Sequence, residues 1–174
     1  MQPRDKYRIA LLAAYALALN SFERLLPTPI PWLRLGLANL ITLITLLLYG
    51  LRPALMVTLI RVILGSLFTG TFLGPSFVLS LGGGLTSTFA MGFALYAVQG
   101  LFGPVGLSII GALFHNITQL FLAYFLFIQR FEAILLVTPA ILLIGTLTGA
   151  VNGVIASILI NNLKKPAKKI QNGN

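Results

Sequence analysis

A short apolar segment contains several polar residues whose spacing could build a binding site. The segment GALFHNITQL (111–120) carries the chain's single histidine, His115, together with Asn116 and Gln119. His115 and Gln119 are four residues apart, so a helix places both on one face, whereas Asn116 points about 100° away. These side chains could bind a polar ligand, or they could join neighbouring helices by hydrogen bonds. The segment alone leaves both interpretations open.

Other polar residues interrupt the apolar runs and could contribute to the same site. Residues 24–131 contain no Asp or Glu, so a buried Arg61 needs backbone carbonyls, water or an anionic ligand, unless it pairs with Glu23 or reaches the membrane surface. Asn152 is predicted to join helices. We predict a pocket for a small molecule with an acidic or strongly hydrogen-bond-accepting group. The predicted substrate-binding residues are Asn39, Arg61, Thr86, Ser87, His115, Asn116 and Gln119.

The composition indicates which kind of element must position these residues. The 174-residue chain is 57% hydrophobic and 9% charged, whereas a soluble domain carries about 25% charged residues. Twelve basic and three acidic residues cannot cover such a chain with a soluble surface. An all-α integral membrane protein is therefore predicted. The net charge of +9 does not indicate nucleic-acid binding, because the basic residues lie at the chain ends and between apolar segments.

Proline and glycine divide the chain into six apolar segments. A membrane-spanning helix needs about 20 such residues, and the breaks include PTPIPW (27–32) and TGTFLGP (69–75). We predict one six-helix membrane domain over residues 1–163 and a basic cytoplasmic tail over residues 164–174. The predicted transmembrane helices are 7–26, 33–49, 53–68, 76–98, 105–127 and 133–162.

The distribution of Lys and Arg predicts the orientation of these helices. With six spans, both termini lie on one side. That side holds eight basic residues and the opposite side holds three, with Arg61 inside a span. Because basic residues favour the cytoplasmic side, we predict a multi-pass protein of the cell membrane with both termini in the cytoplasm.

Small residues form three features that could allow close helix contact. A glycine stripe on the sixth segment, predicted to pack inside the bundle, consists of Gly145, Gly149 and Gly153. An alanine stripe on the first segment, which could meet either this bundle or a partner protein, consists of Ala10, Ala14 and Ala18. The segment LGGGL (81–85) could be unwound beside a ligand or could be a close-packing face.

Several motifs give the chain a family resemblance over nearly its whole length. With six short spans, it resembles the substrate-binding S-components of energy-coupling-factor (ECF) transporters. More specifically, it resembles the heptaprenyl diphosphate synthase component I family, also called the Gx transporter family. The motifs are LRLGLANLITL (33–43), RVILGSLF (61–68), LSLGGGLTS (79–87) and GALFHNITQL (111–120).

The resemblance implies an S-component-like bundle, a function and partners. In S-components the outer helix halves hold the ligand, and an AxxxA stripe on the first helix meets a transmembrane coupling subunit. That stripe corresponds to Ala10, Ala14 and Ala18. The implied function is substrate binding in an uptake transporter for a small, anionic vitamin-like or isoprenoid- or quinone-precursor-like molecule. Because this chain has no nucleotide motif, ATPase subunits would be separate partners.

A second interpretation follows from the family's enzyme-like description. Prenyl diphosphate synthesis normally needs aspartate-rich pairs that hold magnesium on the diphosphate. This chain has only Asp5, Glu23 and Glu132, which are scattered, so we predict no catalytic site, no metal site and no cofactor. The alternative function is a non-catalytic membrane subunit that assists a prenyl diphosphate synthase or a quinone-related enzyme. A membrane enzyme using His115 as acid and base is disfavoured, because no nucleophile or carboxylate partner is evident.

Overall fold

The computed structural model describes residues 3–25, 37–98 and 100–171, and these parts of the chain contain helices and no strand. A π-helical turn, Tyr124–Ile128, continues α5. The predicted all-α fold with six helices is confirmed. The helices are α1 (Pro3–Leu25), α2 (Leu37–Tyr49), α3 (Leu51–Phe68), α4 (Pro75–Ala97), α5 (Pro104–Ala123) and α6 (Phe131–Gln171).

The described helices differ in the length of their apolar stretches. Four stretches are long and apolar enough to cross a membrane, namely Leu51–Phe68, Pro75–Ala97, Pro104–Ile128 and Phe131–Asn162. The first two helices contribute shorter apolar stretches, Tyr7–Leu19 and Asn39–Tyr49. The predicted break PTPIPW and the first four residues of the predicted second span lie outside the described residues. The fold is thus a helical membrane bundle with four full-length candidate spans among the described residues.

Proline and glycine set the helix boundaries. Pro75 and Pro104 lie in the first turns of α4 and α5, where the missing N–H removes no helical hydrogen bond. Gly50 joins α2 to α3 with a φ of 89°, which a residue with a Cβ rarely adopts. The predicted third span began at Pro53, but α3 begins two residues earlier at Leu51 because this single glycine completes the turn.

The shortest helix, α2, lies at the centre of the bundle. It contacts every other helix, whereas α1 packs mainly on α2 and α3. Residues 40–46 of α2 are all buried, and they include the polar Thr42 and Thr45. Polar residues on α2 therefore point into the bundle, where they must find protein, water or ligand partners.

Glycines bring α5 close to its neighbours α4 and α6. A Cβ added at Gly153 would lie 2.5 Å from the Val105 Cα, and one at Gly149 would lie 2.8 Å from the Ala112 Cβ. The prediction that the glycine stripe packs inside the bundle is confirmed. The LGGGL segment is helical within α4, and a Cβ at its Gly83 would lie 3.0 Å from His115. It is a close-packing face.

Candidate functional site

Arg61 is buried on α3 and is hydrogen-bonded to the central helix. Its Nη2 donates to Asn39 Oδ1 at 3.1 Å, and Arg61 is only 6% exposed. On the other side it meets α4, where a Cβ built on Gly84 would lie 3.5 Å from Nη2. An amide oxygen accepts the hydrogen bond without supplying a negative charge. Arg61 therefore brings a cation to the junction of α2, α3 and α4.

Three threonine hydroxyls form a chain across the same three helices. Thr42 Oγ1 on α2 lies 3.3 Å from Thr58 Oγ1 on α3, which lies 3.0 Å from Thr88 Oγ1 on α4. All three residues are at most 1% exposed. Because their hydroxyls bond one another, these residues stabilise the packing of α2, α3 and α4. They are not candidates for ligand binding.

A small cavity, called here the central cavity, lies between α2, α4, α5 and α6. Its volume is about 20 Å³, and a single water needs roughly 10–15 Å³ of such space. Four of the seven predicted substrate-binding residues meet at this cavity. Its polar lining residues are Asn39, Ser87, Ser108, His115, Asn116, Thr148 and Asn152.

Ser87 is the most informative residue of the central cavity. It is 1% exposed, and its buried Oγ has no hydrogen-bond partner among the described residues. A Cβ built on Gly111 of α5 would lie 3.1 Å from this oxygen. A buried hydroxyl left without a hydrogen bond costs about 1–3 kcal/mol. Ser87 thus differs from the threonine chain, whose hydroxyls are bonded within the protein.

His115 and Gln119 share one face of α5, as their spacing predicted, and this face meets α4. A Cβ built on Gly83 would lie 3.0 Å from His115 Nδ1 and 3.1 Å from Gln119 Cγ. A residue larger than glycine at this position would displace the imidazole. Gly83 therefore fixes the distance between α4 and the His115 side chain.

Asn116 points from α5 toward α6 and lines two cavities. Its Nδ2 donates to the Ile141 carbonyl at 3.4 Å, and its amide occupies the space beside Gly145. One is the central cavity. The other is a second space of about 10 Å³, called here the outer cavity. The outer cavity is lined by Asn116, Gln119, Leu120, Ala123, Ile128, Ile134, Val137 and Ile141.

The other three predicted residues do not line the central cavity. Gln119 lines the outer cavity, and Arg61 is hydrogen-bonded to the central-cavity residue Asn39. Thr86 Oγ1 donates to Thr118 Oγ1 at 2.9 Å, which links α4 to α5. The seven residues that were predicted to form one pocket are thus divided among the central cavity, the outer cavity and hydrogen bonds between helices.

Ser108 and Thr148 line the central cavity but were not predicted. A pattern in the sequence could have identified them, because Ser108 and His115 are seven residues apart and share a helix face. Thr148 similarly lies four residues before Asn152. Asn152 was predicted to join helices and is 4% exposed at the cavity wall.

The central cavity offers amides, hydroxyls and one imidazole. No group of three His, Cys, Asp or Glu side chains that could hold a metal occurs within the part of the chain that the structure describes. Amide N–H groups, hydroxyls and the nearby Arg61 can donate hydrogen bonds to an anionic or acceptor-rich molecule. The central cavity is therefore suited to binding a ligand, because its lining offers hydrogen-bond donors and contains no carboxylate.

The alanine stripe lies on the exposed face of α1. Ala10, Ala14 and Ala18 are exposed, whereas Ala13 and Ala16 are buried where α1 packs on α2 and α3. Their exposure agrees with the option that this stripe meets something other than this bundle. In hydrocarbon, three small residues in a row leave a shallow groove that a second helix could enter.

Comparison with known proteins identifies the family of the chain. No curated protein and no solved structure matches the chain. The family model described as "Heptaprenyl diphosphate synthase component I" matches residues 12–159, a range that contains α2 to α5 and every residue lining the central and outer cavities. The sequence motifs had predicted this family. The chain therefore belongs to the heptaprenyl diphosphate synthase component I family.

Proposed function

We propose that this chain is the substrate-binding membrane subunit of an ECF-type uptake transporter. The observation that carries the proposal is the central cavity, and above all the buried Ser87 hydroxyl within it. Residues that only joined helices would bond one another, as Thr42, Thr58 and Thr88 do. A buried hydroxyl that faces polar neighbours across a cavity instead suits a bound molecule or water.

The charge of the site selects the class of substrate. Arg61 is hydrogen-bonded to the cavity residue Asn39. Residues 24–131 contain no Asp or Glu. A cationic substrate would meet repulsion and no carboxylate, whereas an anionic or acceptor-rich substrate would meet N–H and O–H donors. The proposed substrate is accordingly a small anion or a molecule rich in hydrogen-bond acceptors.

The proposal includes movement of the helices around the cavity. A volume of about 20 Å³ holds roughly one water molecule, so a larger substrate enters only when α5 and α6 separate from the central helix.

Residues 26–36 precede α2 and lie outside the described residues. With both termini in the cytoplasm, as the distribution of Lys and Arg favours, this segment would lie on the outer side.

The alanine stripe would meet the coupling partner. Exposed Ala10, Ala14 and Ala18 permit a partner helix to approach α1 to about 6–8 Å. A lipid-facing helix has no need for such small side chains, because leucine suits hydrocarbon equally well. Transport would draw its energy from separate ATPase subunits, and this chain itself would be non-catalytic.

The family's description favours a second candidate function. A component I implies another synthase component, so the chain could be a non-catalytic membrane subunit that assists a prenyl diphosphate synthase. In that case the exposed α1 face would contact the synthase. The two candidates therefore differ in the identity of the partner and agree on the surface that meets it.

Replacement of Ala14 by Trp distinguishes the candidates when the partner is identified. The tagged protein is purified in mild detergent from its own cells, and bound chains are identified by mass spectrometry. We expect wild-type protein to retain an ATPase and a membrane coupling subunit, and Ala14→Trp to lose both. Ala140→Trp is the matched control, since Ala140 is exposed on α6. Retention of a prenyl synthase without ATPases would favour the second candidate, and equal retention by both variants would exclude α1 as the coupling surface.

A further inference from the structure

A groove, called here the surface groove, lies on the outside of the bundle where α3 begins and α4 ends. Its volume is about 480 Å³, against about 20 Å³ for the central cavity, and the two share no lining residue. Three aromatic side chains of α4 in its wall are more than half exposed. The lining residues are Leu51, Phe89, Gly92, Phe93, Tyr96 and Ala97.

The walls of the surface groove suit hydrocarbon. Phe89, Phe93 and Tyr96 are spaced four and three residues apart, so they share one face of α4. At Gly92, an added Cβ would lie 2.7 Å from Leu51 Cδ1. The absence of a side chain at Gly92 therefore lets Leu51 of α3 pack directly on α4. The groove thus offers apolar contacts from two helices.

One end of the surface groove lies at the boundary of the hydrocarbon. The span Leu51–Phe68 has 18 residues, and its length of about 27 Å is close to the thickness of about 30 Å of the hydrocarbon core. Arg52, the second residue of this span, is exposed and lies where lipid head groups begin. Tyr96 brings its hydroxyl to the same end, because a Cβ built on Gly50 would lie 3.3 Å from Tyr96 Oη. Tyrosine is enriched at this depth of membrane proteins.

The charge at this end of the surface groove selects an anion. Residues 24–131 contain no Asp or Glu, so α2 to α5 provide no carboxylate for Arg52. A guanidinium donates two parallel hydrogen bonds to a phosphate, and a tyrosine hydroxyl donates one. A phosphate at the boundary would therefore meet donors from α3 and α4 at the point where the apolar walls begin.

We propose that the surface groove binds an anionic phospholipid of the bilayer. One acyl chain lies against Leu51, Phe89 and Phe93, and the phosphate is bound by Arg52 and the Tyr96 hydroxyl. With both termini in the cytoplasm, as the distribution of Lys and Arg favours, the site faces the inner leaflet, which contains anionic lipids. The lipid is a resident component of the membrane and is not transported. This inference therefore stands apart from the proposed function.

The chemistry and length of the surface groove favour a lipid over a partner helix. The α4 residues that line it, 89–97, extend over about 12 Å. Helices that associate within membranes meet through small residues, as on the alanine stripe, whereas here bulky aromatic rings project from α4. A flexible acyl chain follows the surface of these rings, and a rigid helix cannot approach α4 closely across them.

Native mass spectrometry of the full-length protein in detergent measures the lipid preference. The delipidated protein is titrated with palmitoyl-oleoyl phosphatidylglycerol or with the phosphatidylcholine that has the same acyl chains, so that only the head group differs. We expect the first phosphatidylglycerol to bind about fivefold tighter, because one basic residue contributes about 1 kcal/mol to the binding of anionic lipids. Equal affinities would overturn the proposal.

Substitutions of arginine test the head-group contact. Arg52→Gln should abolish the preference for phosphatidylglycerol, whereas Arg52→Lys should retain most of it because the charge remains. Arg130→Gln is the matched control, since Arg130 is exposed and does not lie near the groove residues in sequence, and it should leave the preference unchanged. An unchanged preference in Arg52→Gln, or an equal loss in Arg130→Gln, would refute the site.

Filling the surface groove tests the position of the acyl chain. Ala97→Phe places a ring in the groove, and Ala140→Phe places the same side chain on α6; both alanines are exposed, so neither change disturbs the core. Ala97→Phe should weaken the binding of both lipids about tenfold, since the contacts of about two methylenes are lost. Ala140→Phe should change it less than about twofold.

Two results of this comparison would contradict the proposal. Equal effects of Ala97→Phe and Ala140→Phe would refute the location of the chain. A wild-type protein without lipid preference that loses a co-purifying protein through Ala97→Phe would assign the surface groove to a partner helix instead.

Discussion

Replacing Ser87 by Ala should leave the protein as stable as the wild type or make it more stable. The Ser87 hydroxyl is fully buried and has no hydrogen-bond partner among the described residues. Its removal breaks no hydrogen bond within the described residues, so the loss of about 0.5–1.5 kcal/mol that accompanies a deleted hydrogen bond does not arise. We expect the free energy of unfolding to stay level or rise by about 1 kcal/mol. For a chain of this size that is a shift of about 2–4 °C in the unfolding midpoint.

Ser66 supplies a matched control for this substitution. Ser66 is also 1% exposed, but its Oγ donates to the Ile63 carbonyl at 2.8 Å. Ser66→Ala should therefore lower the free energy of unfolding by about 0.5–1.5 kcal/mol, the net value of a typical hydrogen bond. Both deleted hydroxyls are buried, but only the Ser66 hydroxyl is bonded within the described residues, so only Ser66→Ala should lower the unfolding midpoint.

Calorimetry in nanodiscs measures the stability, and a binding assay with the molecule that co-purifies with the protein measures the function. Ser87→Ala should weaken binding about tenfold, which corresponds to the loss of about 1.4 kcal/mol. Ser66→Ala should not change binding. A Ser87→Ala variant that is destabilised as much as Ser66→Ala and binds normally would show that Ser87 is a structural residue. That result would remove the main argument for the central cavity as a binding site.

Two further predictions concern the shape of the site and the topology. Gly83→Ala places a Cβ 3.0 Å from His115 Nδ1 and should weaken binding about tenfold, because it displaces the imidazole. In the control Gly103→Ala the added Cβ meets open space, so binding should not change. Equal effects of the two variants in a binding assay would contradict this role of Gly83. Cysteine at Thr28 should react with an impermeant thiol reagent in whole cells and cysteine at Ala167 should not, because the basic residues favour cytoplasmic termini; the reverse labelling pattern would invert the topology.

Helix number and close helix contacts could be predicted because local sequence determines them. Two breaks, near Gly50 and Pro75, were visible before the fold was known because glycine and proline lie close together there and favour a helix end followed by a new helix start. The role of the glycine stripe was also predictable, because glycines on one face of a helix allow the backbone of a neighbouring helix to approach closely. The alanine stripe was visible in the same way, because Ala10, Ala14 and Ala18 are four residues apart and therefore share one helix face.

The division of the polar residues could not be predicted, because it depends on how each helix is rotated relative to the others. Spacing correctly placed His115 and Gln119 on one face, but only the positions of α4 and α6 show that Asn116 turns to a different neighbour. Thr86 and Ser87 are adjacent in sequence, yet Thr86 bonds to α5 while Ser87 faces the central cavity. A 100° step along the helix separates a structural role from a candidate ligand contact.

The central claim is that the polar cavity binds a small molecule, and native mass spectrometry of protein purified from its own membrane tests it most directly. We predict that wild-type protein carries a bound small molecule with an anionic or acceptor-rich group. Arg61→Ala and His115→Ala variants should remain folded, with a smaller change in thermal stability than in binding, and should release that molecule. Wild-type protein that carries no such molecule, or variants that retain it in full, would contradict the account.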